Sequence, residues 1–150
     1  MTAGRHRGAV GVWAGMLLTP LLFAGVALAR PPRAEIRSPE LAGMFLWMAA
    51  AVAGLGIVMS RVLPRHIGPR GDGASRDARA FARLLVAWAI LLGAALFPLV
   101  AFLITGDPLL FAVALAAVAA HVTLFPTEER WRSLAAQPLP SQGGKGGTVG

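Results

Sequence analysis

Chemistry needs groups that ionise, ligate a metal or attack a substrate, and this sequence places almost none of them inside its apolar runs. The seven carboxylates are Glu35, Glu40, Asp72, Asp77, Asp107, Glu128 and Glu129, and each falls between those runs or at their ends. Proton coupling and ion carriage depend on ionisable groups kept at membrane depth despite their cost. His121 alone stands within a run. Two roles suit it: an axial haem ligand or proton-relay group, or a histidine near a helix end bonded to backbone or water. A bis-histidine haem site within one chain would need His6 or His66, and both stand in polar stretches. The serines at 38, 60, 75, 133 and 141 sit at run ends, in loops or in the tail. None has the motif, histidine and acid of a nucleophilic triad. With no cysteine, thiolate metal sites and disulfides are excluded. No HExxH, P-loop or paired-carboxylate pattern occurs. The expectation is a non-enzymatic protein with no metal and no cofactor.

The elements that would position any site are long and apolar. Of the 150 residues, 56% are hydrophobic and only 14% charged, so lipid suits the chain better than water. The net charge of +7 comes without basic clusters interleaved with aromatics. It points to loops facing an anionic cytoplasmic leaflet, and not to nucleic acid. The clearest unit is Leu84 to Thr127, two apolar segments joined at Gly106-Asp107-Pro108. Each is about 20 residues, enough at 1.5 Å per residue to cross the roughly 30 Å hydrocarbon core of a bilayer. Gly106 ends one helix, Asp107 caps the next and Pro108 opens it. So short a link makes the two helices antiparallel neighbours.

The expected fold class is all-α: an integral membrane four-helix bundle, up-down-up-down, with both termini cytoplasmic. Its spans fall at about 8–29, 41–60, 84–106 and 108–125, followed by a short interfacial helix over 128–136, all within a single domain 1–136. Residues 137–150 are rich in Gly, Pro and Ser and read as a disordered tail. Ser38 and Ser75 are candidate helix caps, and Pro64 with the glycines after it places a loop from residue 61. Pro20 and Pro98 are expected to kink their helices. Candidate helix-packing residues are the pair Gly11 and Gly15, then Gly54 with Ala42 and Ala50, and the heptad-spaced Ala87, Ala94 and Ala101. Arg76, Arg79 and Arg83, at i, i+3 and i+7, form a basic stripe facing the membrane surface or a partner. In the last span an alanine side should pack against helices. The stripe Phe111, Leu115, Val118, Val122 and Phe125 faces lipid or fills the bundle centre.

Orientation follows from the basic residues. With four spans, eleven lie on the side of the termini and of the 61–83 loop, and three, Arg30, Arg33 and Arg37, lie opposite. The larger group belongs in the cytoplasm. Trp13, Trp88 and Trp131 fall near that interface and Trp47 nearer the other, as in an aromatic belt.

The segment LFPLVAFLITGDPLLF, with HVTLFPTEERW after it, resembles uncharacterised small four-span bacterial membrane proteins. Its hairpin is similar to that of rotor-ring subunit c of ATP synthase. That resemblance implies an ion-binding carboxylate in the second helix, and Pro108 to Phe125 has none. Small multidrug-resistance transporters carry a glutamate in the first span, where Gly8 to Ala29 has no acid. The role expected is an accessory or scaffold component of the bacterial inner membrane, associating with other membrane proteins or with itself. A transporter or channel subunit is the alternative, and a haem- or redox-associated subunit the third.

Two readings of the first run stay open. Its Arg5-His6-Arg7 start and Ala27-Leu28-Ala29 end also fit a cleaved signal peptide. A retained first helix predicts that N-terminal sequencing of the purified protein reads within residues 1–29. A chain beginning at Arg30 would show cleavage after Ala29.

Overall fold

The computed structural model describes residues 3–29, 39–66 and 75–136, and every regular element among them is a helix. The elements are α1 (Ala3–Ala29), α2 (Pro39–His66), α3 (Arg76–Thr105), α4 (Pro108–Thr123) and α5 (Glu128–Ala136). The expected Ser38 cap, the polar stretch around residues 30–38, the Arg70-Gly71-Asp72 sequence and the tail at 137–150 lie outside the described residues.

Helix α3 begins and ends on local chemistry. Ser75 has an extended backbone, and its Oγ accepts from the Ala78 N–H at 3.2 Å. Asp77 adds a carboxylate to the positive end of the helix. At the other end Gly106 takes a left-handed conformation, φ 72°, and returns its N–H to Phe102 O at 2.7 Å. A side chain there would be strained, which is why glycine stops the helix. Asp107 Oδ1 then caps α4 by accepting from the Leu109 N–H at 2.9 Å, with Pro108 in its first turn. The two-residue connection sets α3 and α4 side by side and antiparallel.

Half of α3's apolar stretch is buried inside the protein, against 17% for α1 and for α2. Helix α3 is therefore the axis, packing against all four other helices, while α1 and α2 pack mainly on the α3–α4 hairpin. Its buried face includes Ala80, Leu84, Ala87, Leu91, Ala94 and Ala101. Ala9 of α1 packs at the Ala80–Leu84 level and Ala24 at the Leu99 level, so α1 runs parallel to α3. Ala49 of α2 meets Ala101, and Gly56 meets Ala94, so α2 runs antiparallel. Chain direction thus alternates from α1 to α4. The helices continue through Pro20, Pro64 and Pro98, and α2 runs to His66, past the point where Pro64 suggests a loop. So near its C-terminus a helix already has unpaired carbonyls, and the further one left by a proline adds little.

Three helices, α1 to α3, are long and apolar enough to cross a membrane, and a fourth crossing counts only if α4 and α5 form one bent span. Helix α4 has 16 residues, about 24 Å at the helical rise. It stops at Thr123, short of the expected end at 125, and the chain bends 77° into α5. Pro126 is the physical reason: it has no N–H to continue the ladder and disfavours helical geometry at Phe125. The face of α4 that packs is Leu110, Ala114, Ala117 and His121, whereas Leu115, Val122 and Phe125 of the bulky stripe are exposed.

Among the described helical glycines, Gly56 alone meets another helix closely: a Cβ there would stand 2.7 Å from the Ala94 Cβ. Gly56→Ala is expected to destabilise the protein in detergent by about 1–3 kcal/mol through overpacking, and adding Ala94→Gly should recover part of that loss. Gly54→Ala, with open space around it, should be neutral or stabilising. Thermal unfolding of the three variants checks the set, and equal stability of Gly56→Ala and Gly54→Ala would contradict it.

Candidate functional site

The polar side chains converge where α4 ends. A helix C-terminus leaves carbonyls without partners, and in apolar surroundings each one needs a donor. Here the accounting closes. His121 O accepts from the Leu124 N–H at 3.0 Å and from Trp13 Nε1 of α1 at 3.3 Å. Val122 O accepts from the Phe125 N–H at 3.1 Å. Leu124 O accepts from Trp88 Nε1 of α3 at 3.1 Å. The Arg130 guanidinium of α5 reaches back to Thr123 O at 2.5 Å and to Phe125 O at 3.5 Å. Cations suit this end of a helix electrostatically. Donors from α1, α3 and α5 thus serve one elbow. Trp13 also sets the edge of its ring on Phe125, with centroids 4.9 Å apart at 89°.

Helix α5 is docked by a second set of contacts. Thr127 caps it, its Oγ1 accepting from the Arg130 N–H at 3.2 Å. Trp131 is buried against Ala9, Ala80 and Leu84, and its Nε1 donates to Asp77 Oδ1 at 3.3 Å. Arg83, 1% exposed, donates from a terminal guanidinium nitrogen to Leu134 O at 3.0 Å. The Arg132–Glu128 pair at 2.9 Å lies on the exposed side of α5 and contributes little to stability.

This geometry divides the residues singled out by the sequence. Arg76 is exposed and Arg79 partly so, but Arg83 leaves that stripe and turns inward. Ala87, Ala94 and Ala101 are buried along α3. Gly11, Gly15 and Gly54 face outward, with no atom within 4 Å of where a side chain would begin. Trp88 is fully buried and Trp131 nearly so, both turned into the protein, while Trp47 is 80% exposed. His121 sits on the Ala114–Ala117 face, 1% exposed, and its Nε2 is the one buried side-chain nitrogen or oxygen among the described residues without a hydrogen-bond partner. Among the described residues no group of three His, Asp or Glu side chains could hold a metal. The capping roles of Trp13, Trp88 and Arg130 carry no sequence signal. The burial of Arg83 does, because it stands four residues before Ala87 on the same helical face.

Comparison with protein-family models, with curated proteins and with solved structures finds no match to this chain.

If Arg83 is what holds α5 down, Arg83→Met should release α5 and leave the bundle standing. Hydrogen exchange should then speed up across residues 128–136 toward that of an undocked segment, with α3 and α4 unchanged. Unchanged protection of α5 would remove this role from Arg83.

Proposed function

We propose that this protein is a multi-pass protein of the bacterial inner membrane, both termini cytoplasmic, serving as a non-enzymatic accessory or scaffold component of a membrane complex. The observation that carries this reading is the outward face of α1. Gly8, Gly11, Gly15, Leu18, Leu22 and Gly25 are all exposed and recur at alternating spacings of three and four. Each of these glycines has open space where a Cβ would stand. In lipid, apolar surface alone does not drive helices together. Small residues do so by letting backbones approach closely. The partner is another membrane helix or a second copy of this chain. Gly54 offers a similar open position on α2.

The basic residues support the orientation. Arg76 and Arg79 lie at the start of α3, at the end of the bundle where α4 stops and α5 docks. They suit the anionic lipid of a cytoplasmic leaflet. A second reading, a transporter or channel component, draws on Pro20 and Pro98, both fully buried within helices.

Because no other helix comes within 4 Å of where the side chains of the outward glycines would begin, Gly11→Leu with Gly15→Leu should leave the fold intact and reduce crosslinked species in membranes. Undiminished crosslinking would count against this seam. Solute flux through proteoliposomes holding only this protein would favour the transporter reading instead.

A further inference from the structure

A second basic cluster lies behind α5, separate from the Arg76–Arg79 surface. Arg61 of α2, Arg83 of α3 and Arg130 of α5 line one cavity of about 270 Å³, and among the described residues no carboxylate lines it. Glu128 is paired with Arg132 on the exposed side of α5, and Glu129 lines a neighbouring cleft that shares Arg130 and Ser133 with this cavity. Ser60 and Ser133 also border the cavity, but their hydroxyls donate to Ile57 O and Arg130 O at 2.8 Å each. Arg83 holds the floor through its bond to Leu134 O. The donors available to a ligand are therefore those of Arg61, which is exposed, and of Arg130, whose two backbone bonds leave other N–H groups of its five.

We infer that this cavity binds the phosphate group of an anionic phospholipid. Guanidinium forks match phosphate oxygens in pairs, and such charge-assisted bonds are the strong ones. Basic pockets between helices at a membrane surface bind lipid headgroups by this chemistry. Pro64, Leu84 and Leu124 add apolar lining. It suits the glycerol and first chain carbons of a lipid and offers nothing to free phosphate. The volume falls just below the roughly 300–1,000 Å³ of sites for drug-sized ligands, so it takes a headgroup and leaves the chains outside. Three helices supply one arginine each, so a bound phosphate would tie α2 and α5 together across α3. The inference does not depend on association with other membrane helices.

The test uses the full chain in a neutral detergent, titrated with phosphatidylglycerol, phosphatidylcholine and inorganic phosphate, with one-to-one complexes counted by native mass spectrometry. Phosphatidylglycerol should be retained preferentially. Arg61→Gln, at an exposed residue that makes no bond among the described residues, should weaken its binding about tenfold or more. Arg76→Gln, at the same end but outside the cavity, should change it less than about twofold, as expected for an exposed charge. Equal losses in the two variants would reveal diffuse attraction and overturn the site. Equal retention of phosphatidylcholine would overturn the selectivity for an anionic lipid. Displacement of the lipid by inorganic phosphate at equal concentration would support the phosphate chemistry and overturn lipid as its source.

Discussion

At the end of α4 the carbonyls from His121 to Phe125 lose the partners a continuing helix would provide. A backbone acceptor left unpaired where it is buried costs about 1–3 kcal/mol, a large share of the stability of a small protein. The backbone N–H groups of Leu124, Phe125 and Thr127 meet part of this need, and indole and guanidinium donors from three other helices meet the rest. Trp13 closes from α1, Trp88 from α3 and Arg130 from α5. Satisfying one helix end therefore sets the depth of α1, the rotation of α3 and the docking of α5. The 77° bend is held by bonds that no straight continuation could make.

Around that elbow the packing is plain. Helix α3 offers a face of small residues, broadened by Trp88, Leu91 and Leu99 where neighbours leave room. Gly56 against Ala94 is a point of close approach between α2 and α3. Helices α1 and α2 each spend one narrow face on the α3–α4 hairpin and leave the rest outward. That asymmetry leaves most of the surface of α1 and of α2 outside the packed interior.

What could be read from the sequence was whatever local chemistry decides. Ser75, Gly106 and Asp107-Pro108 act as caps or stops because each needs only its own neighbours in the chain. The heptad of Ala87, Ala94 and Ala101 marks a face because helical periodicity alone places those residues together. Helical phase relative to a partner is not local. Gly54 and Gly56 stand two residues apart, and only the position of α3 decides that Gly56 is the one in contact. Arg83 was hidden by its charge: grouped with Arg76 and Arg79 it reads as surface, whereas the Ala80–Ala87 periodicity puts it inside. The tryptophans read as an interfacial belt because an indole beside water and an indole on a buried carbonyl look alike in one dimension. The shortness of α4 was obscured by the apolar residues that continue to Phe125 after the helix has stopped.

The bonds at the elbow also have a direction in time. Trp13 belongs to the first of the described helices, and its acceptor on His121 is made more than a hundred residues later. Leu134 O, the acceptor for Arg83, is among the last described backbone atoms to be synthesised. Until α5 emerges, Arg83 lacks its hydrogen bond to that carbonyl and the end of α4 lacks Arg130. A nascent chain halted before Thr127 would hold every apolar segment yet be unable to complete its own elbow. Helix α5 is thus a latch: the bundle can assemble before it, but the elbow closes only with it.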